Sequence, residues 1–176
     1  MREERRSEAL LAGALLASVV LAALAPVVGN GFVNYDDDLY GTDNEQVRGG
    51  LTAAGARWAV TTGHAANWHP LTWLSHMLDW QVFGESPAGH HGTSLLLHVA
   101  GTLAFFAFLR GATGSVWRSA AAAALFGAHP LHVESVAWVA ERKDVLSGLF
   151  AMLALLAYLR HARSPRLASY LAVAGA

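Results

Sequence analysis

Apolar stretches recur along this chain at 9–29, 93–109, 119–140 and 145–159, and another opens at 167–176. A helix that crosses a membrane needs ~20 predominantly apolar residues, so 9–29 predicts a complete span. The stretches 93–109 and 145–159 are shorter. Their outer ends therefore take in polar neighbours, His90-His91 for the one and Glu141 to Asp144 for the other. The stretch 119–140 is polar in its second half. The segment 167–176 is too short to cross, so the chain is expected to be a fragment of a longer protein.

Between the first two stretches lies a polar segment, 30–92, too long for a plain connector and of the length that carries function. Within it Thr52 can cap a helix running to about Thr61, with Ala56, Trp58 and Val60 near one side. Pro70 suits the first turn of a second helix. Leu71, Leu74 and Leu78 give that helix an apolar stripe. Trp68, Trp73 and Trp80 flank the stripe, and tryptophan favours the membrane–water interface. The expected picture is a pair of helices lying flat on the outer leaflet, with Trp73 and Trp80 as anchors.

Composition agrees with a polytopic membrane protein: 54% apolar and 14% charged residues, with a mean hydropathy of +0.34. The net charge of −1 offers nothing to nucleic acid. No cysteine is present, which removes disulfides and thiolate metal sites. Residues 1–8 and Ala23-Leu24-Ala25 imitate a signal peptide, but the apolar stretch is long and Pro26 would occupy the residue after the cut. The first span reads as an uncleaved anchor.

Arginine sets the expected orientation. Arg2, Arg5, Arg6, Arg110, Arg118, Arg160, Arg163 and Arg166 are eight of the twelve basic residues. They fall at the N-terminus and after 93–109 and 145–159, which places those parts in the cytoplasm. The segment 30–92 is then periplasmic or luminal, with Asp36, Asp37, Asp38, Asp43, Glu45, Asp79 and Glu85.

Charged side chains beside spans are costly in hydrocarbon and mark function. Tyr35-Asp36-Asp37-Asp38 follows the first span closely. His69-Pro70-Leu71 and His129-Pro130-Leu131 look alike, and the second opens His129-Pro130-Leu131-His132-Val133-Glu134, followed by Glu141-Arg142-Lys143-Asp144. Pro130 would kink or end the third span. The acids, histidines and Arg-Lys pair are expected on one face of the membrane. His129, His132 and Glu134 offer three metal ligands, but Pro130 interrupts the helix they need and no standard zinc spacing occurs. A divalent metal is therefore not favoured. A transporter would place its titratable groups within the spans. A non-catalytic anchor for C-terminal repeats is the other alternative.

The ordered set Phe32-Val33-Asn34-Tyr35-Asp36-Asp37-Asp38, Asn44, Asn67-Trp68-His69-Pro70-Leu71-Thr72, His90-His91, His129 to Trp138, Arg142 and Asp144-Val145-Leu146 resembles the N-terminal membrane part of transmembrane-and-tetratricopeptide-repeat proteins. Those are similar to protein O-mannosyltransferases of the GT-C glycosyltransferase superfamily. The resemblance covers the chain from Phe32 to Leu146 and implies an all-α, polytopic helix bundle forming the N-terminal part of a GT-C-like domain over 1–176. It implies transfer of mannose from a polyprenyl-phosphate sugar to a Ser or Thr hydroxyl of an acceptor protein at the lipid bilayer, with no cofactor.

The family's catalytic acidic pair maps onto Asp36 and Asp37. His69 to Thr72 matches the element written Arg-Pro-Leu-Thr in animal relatives, and the later block maps onto His129, Pro130, Glu134, Arg142 and Asp144. Ser94 stands where relatives carry Asn. On this reading one Asp is the general base of an inverting displacement. Arg142 and Lys143 meet the lipid phosphate, or Arg142 pairs with Glu134 or Asp144. His69, His129 or His132 add hydrogen bonds, Glu134 holds an Arg or His, and Asp38 and Asp43 make turn contacts or lie on solvated faces. The missing spans and repeats would leave this segment alone inactive.

Overall fold

The computed structural model describes residues 2–175; Met1, which opens the charged N-terminal stretch, and Ala176, the last residue of the expected fifth segment, lie outside the described residues. The described chain is 81% helical and has no strand, so the fold is all-α. In order come α1 (Arg2–Leu24), α2 (Glu45–Arg48), α3 (Ala53–Thr61), α4 (Pro70–Phe83), α5 (Pro87–Thr113), α6 (Val116–Gly127), α7 (His132–Ala137), α8 (Arg142–Arg163) and α9 (Leu167–Ala174). Among the described residues three segments are long and apolar enough to cross a membrane: Arg6–Gly29, Pro87–Thr113 and Val139–Arg163. This is the pattern of a multi-pass membrane protein. Two compact units divide the chain, and each is described by itself.

The first unit holds Met1–Leu24, Leu96–Val133 and Val145–Ala176. Here α1 packs on α6. Ala9, Ala12, Leu16, Val20 and Leu24 form the buried stripe of α1, at the three- and four-residue spacing of one helical face. Leu10, Leu11, Leu15 and Val19 are exposed on its other sides. A helix apolar all round suits hydrocarbon, not water. A Cβ on Gly127 would stand 2.6 Å from Thr102 Cγ2 and 2.7 Å from Val20 Cγ2. Gly127 thus lets three helices meet closely, the usual role of small residues between membrane helices.

The stretch 119–140 is not one helix, and the break expected at Pro130 lies just past the end of α6. α6 ends at Gly127 after 12 residues, roughly 18 Å, short of the ~30 Å hydrocarbon thickness. The cause is His129-Pro130. Proline has no N–H to continue the ladder, and it disfavours helical geometry at the residue before it.

The second unit holds Ala25–Leu95 and Glu134–Asp144. α4 is its centre, with α2, α3 and the single π-helical turn Asp38–Thr42 packed on it. Thr52 caps α3 by accepting from Gly55 N at 2.9 Å, and Pro70 sits in the first turn of α4. Both local expectations hold. The core comprises Tyr40, Val47, Ala59, Trp73, Met77, Trp80 and Ala140. In α3 the buried positions are Gly55 and Ala59, and Val60 is exposed.

The expected role of the α4 tryptophans is corrected. Leu71 and Leu78 are exposed, whereas Thr72, Trp73, His76, Met77, Asp79 and Trp80 are buried. Trp73 and Trp80 are therefore core residues, not interfacial anchors; Trp73 stacks on Tyr40 with ring centroids 4.9 Å apart. Trp68 is 70% exposed.

Candidate functional site

The Asp36-Asp37 turn is built from both sequence segments of the second unit. Asp37 is 2% exposed, and its two carboxylate oxygens accept from Val33 N and Ala140 N, each at 2.9 Å. Trp138 Nε1 donates to Tyr35 O at 3.1 Å. Residues 33–37 are thereby clasped to 138–140. Burial pushes the Asp37 carboxyl above its ordinary value, against the two backbone N–H groups and His91, which pull it down. Asp36 is half-buried and has a φ of 62°. This left-handed conformation is uncommon outside glycine, though Asp tolerates it better than most. Such local strain tends to gather at functional positions.

From that turn the π-helical segment carries Tyr40 inward, and Tyr40 N donates to Asp36 O at 2.9 Å. The Tyr40 ring lies 5.5 Å from that of His69, and Lys143 Nζ stands 5.4 Å from its centroid. Lys143 also pairs with Glu141 at 2.6 Å. Burial raises the Tyr40 phenol, opposed by Lys143 and Asn67. Burial, then Lys143, lowers His69, so its imidazole is neutral at pH 7. His69 Nε2 is buried without a hydrogen-bond partner among the described residues. An acid, a phenol, a neutral imidazole and an ammonium thus cluster within one unit.

Arg142 takes a different place from the one expected at a lipid phosphate. It is fully buried. Its Nε donates to Ser94 Oγ at 3.0 Å, Nη1 to Ser75 Oγ at 2.9 Å and Nη2 to His90 O at 2.7 Å. Nη2 also forms an ion pair with Asp79 Oδ2 at 2.7 Å. The pair is with Asp79, neither with Glu134 nor with Asp144. All three guanidinium nitrogens are engaged within the second unit. A buried charge needs this much compensation. Ser94, the departure from the family pattern, is one of its acceptors.

The remaining expected residues divide between the units. His129 is exposed, and its Nδ1 accepts from Leu131 N at 3.2 Å. His132 packs on Phe126 and His98, at 4.6 and 5.1 Å between centroids. Burial, with His98 and His129 beside it, lowers the His132 imidazole. Both histidines belong to the first unit. Glu134, Lys143 and Asp144 belong to the second; Asp144 accepts from Ser135 Oγ at 3.2 Å, and Asp38 makes the expected turn contact with Leu39 N at 2.9 Å. Among the described residues no group of three His, Asp or Glu side chains is placed to share a metal ion.

Sequence reading missed Tyr40, Ser75, Asp79 and His90 as parts of this constellation. For α4 a signal existed. Thr72, Ser75, His76 and Asp79 recur at i, i+3, i+4 and i+7, a polar stripe as regular as the leucine one. Asp79 is further held by Thr93 Oγ1 at 2.8 Å.

Comparison with known proteins bears on what this geometry serves. Protein O-mannosyl-transferase Tmtc2 of Drosophila melanogaster is 37% identical over 144 residues, 77% of this chain. The chain is similar to protein O-mannosyl-transferases. Human Protein O-mannosyl-transferase TMTC1 is 32% identical over 163 residues, 85% of the chain, and mouse Protein O-mannosyl-transferase TMTC2 is 35% identical over 107 residues, 59% of the chain. The chain spans only 15%, 18% and 13% of these transferases, respectively. No family model matches, and no solved structure matches.

Proposed function

We propose that residues 1–176 form the N-terminal part of a GT-C-like membrane domain. The protein is an integral membrane glycosyltransferase that moves mannose from a polyprenyl-phosphate carrier to a Ser or Thr hydroxyl of an acceptor protein. The similarity to named O-mannosyl-transferases supports the class. The observation that carries the site is the Asp36-Asp37 turn. Asp37 is spent on two backbone N–H groups, and Asp36 is left half-exposed in a strained conformation beside Tyr40.

In this reading Asp36 is the general base. The acceptor hydroxyl gives its proton to the Asp36 carboxylate as its oxygen bonds to the sugar's anomeric carbon. The bond from that carbon to the phosphate oxygen breaks on the opposite face, so the configuration inverts. The lipid phosphate departs as an anion and needs no proton. Lys143 supplies the cation for it, and the unpartnered Nε2 of His69 supplies a hydrogen-bonding group. Asp37 positions Asp36, and Arg142 holds the frame. The site faces the side away from the cytoplasm.

The test is transfer of labelled mannose from polyprenyl-phosphate-mannose to protein in membranes holding the full-length protein. Asp36→Asn is expected to lower transfer by about 10²- to 10⁴-fold, the usual worth of a general base, with insertion unchanged. Full transfer in both Asp36→Asn and Asp37→Asn variants would overturn the mechanism. No transfer from any polyprenyl-phosphate sugar would favour a non-catalytic anchor.

A further inference from the structure

A second feature lies wholly in the first unit and shares no residue with the proposed transfer. Between α1 and α5 runs a groove of 540 Å³, within the range of about 300–1,000 Å³ typical of small-molecule sites. Its walls are apolar: Gly13 and Ala17 of α1 face Leu103 and Phe106 of α5. A Cβ on Gly13 would lie 3.8 Å from the Phe106 ring, so the missing side chain is part of what keeps the groove open. Among the described residues the charged side chains in the lining are Arg6 and Arg110, both exposed and both at one end. Arg110 stands 5.9 Å from the Phe106 ring centroid. Glu3, Glu4 and Glu8 lie on α1 as well, but none lines the groove.

The dimensions fit one leaflet. From Arg6 to Ala17 the helix rises about 16 Å, close to half of the ~30 Å hydrocarbon thickness. Both helices belong to membrane-crossing segments, so the groove opens to lipid. An acyl chain would find apolar walls along its length, and an anionic headgroup would meet two guanidinium groups at the mouth. Guanidinium binds phosphate oxygens in a two-pronged fork. A zwitterionic headgroup carries its own ammonium and gains less from two arginines.

We propose that this groove is a binding site for an anionic phospholipid, its phosphate between Arg6 and Arg110 and one acyl chain along Gly13, Ala17, Leu103 and Phe106. The occupant is a structural lipid of the surrounding bilayer. The charge match commits the site to lipid: a helix seated here would need acids placed opposite both arginines.

The test is native mass spectrometry of the purified full-length protein, titrated with phosphatidylglycerol and, separately, with phosphatidylcholine of the same chains. Wild type is expected to retain phosphatidylglycerol preferentially. Each basic residue near an anionic surface is worth about fivefold in binding. The Arg6→Gln/Arg110→Gln variant should therefore bind phosphatidylglycerol about 25-fold more weakly, with phosphatidylcholine unchanged. Gly13→Leu, which fills the groove and keeps the charges, should lose both. Equal retention of the two lipids by wild type, or unchanged binding in the double variant, would overturn the proposal. So would a photo-crosslinker on Gly13→Cys that reacts with protein instead of lipid, because the groove would then belong to another helix or a second copy.

Discussion

Asp37 shows at the residue scale how one carboxylate can serve structure while its neighbour serves chemistry. Its oxygens meet two backbone N–H groups. In Asp37→Asn one of them becomes an NH₂ that faces a donor. That unmatched buried pair should cost about 1–3 kcal/mol, read as a lower midpoint of thermal unfolding in detergent. The titration has a definite sign. Burial raises the folded carboxyl above 3.8, so the folded state binds the proton more tightly than the unfolded state. The contribution of Asp37 to stability is full below 3.8 and declines as pH climbs to the raised value. Wild type should lose ground to Asp37→Asn over that interval; a gap that widens with pH would show that the carboxylate is stabilised by its setting instead. His76 offers a second check. It is fully buried, neither ring nitrogen has a partner among the described residues, and burial, then Arg142, holds its imidazole well below 6.5. His76→Phe removes that unsatisfied group at similar volume and should leave stability equal or higher. A loss above about 2 kcal/mol, more than an ordinary core swap of this kind costs, would mean that the imidazole is satisfied after all.

Elements show where sequence reading succeeds and where it stops. The starts of α3 and α4 were legible because a cap and a first-turn proline act within three or four residues. So was the break at Pro130, since proline disrupts a helix by itself, although the end of α6 at Gly127 was not. The inner face of α4 was not legible. Periodicity finds the leucine stripe, whose Leu71 and Leu78 are exposed, but not the partner that buries Trp73, His76 and Asp79 on the other side. What buries the other side is Arg142, 63 positions beyond Asp79 in the sequence. A charge that needs so distant a partner leaves no local mark. Removing one member of such a pair costs about 3–5 kcal/mol. Arg142→Met and Asp79→Leu should each destabilise by that order, and the double variant should recover most of the loss. A double-mutant cycle in unfolding free energy measures it, and additive losses would mean that the two side chains do not act as a pair. The candidate acids were named from a motif, whereas the surroundings of Lys143 and Arg142, adjacent in sequence, separate only in three dimensions: one stands beside the Tyr40 ring and the other is buried against Asp79.

Across the whole molecule the question is which parts lie on which side. α6 is shorter than a hydrocarbon core is thick, yet the proposed topology needs the chain to pass back through the membrane between Arg110 and Lys143. Residues 1–176 hold no cysteine, so with any cysteine elsewhere in the protein replaced, each introduced thiol reports alone. Gly114→Cys and Leu131→Cys should react with a membrane-impermeant maleimide from opposite sides, with Gly63→Cys on the side of Leu131. Reaction of Gly114→Cys and Leu131→Cys from one side would make α6 a re-entrant element and reverse the chain after it.

The clasp at Ala140 and Arg142 has a consequence for biogenesis. The ribosome makes Asp37 and Asp79 long before it makes 140–142, and that one short segment supplies a partner to each. Until it emerges, Asp37 has only Val33 N and Asp79 only Thr93 Oγ1 of the partners described above, so each carboxylate keeps part of its hydration while α4 and α5 are already formed. The last few residues to arrive act as a latch. A nascent chain arrested before residue 138 would carry two half-satisfied acids and a core that lacks Ala140, a state for quality-control machinery to recognise and clear.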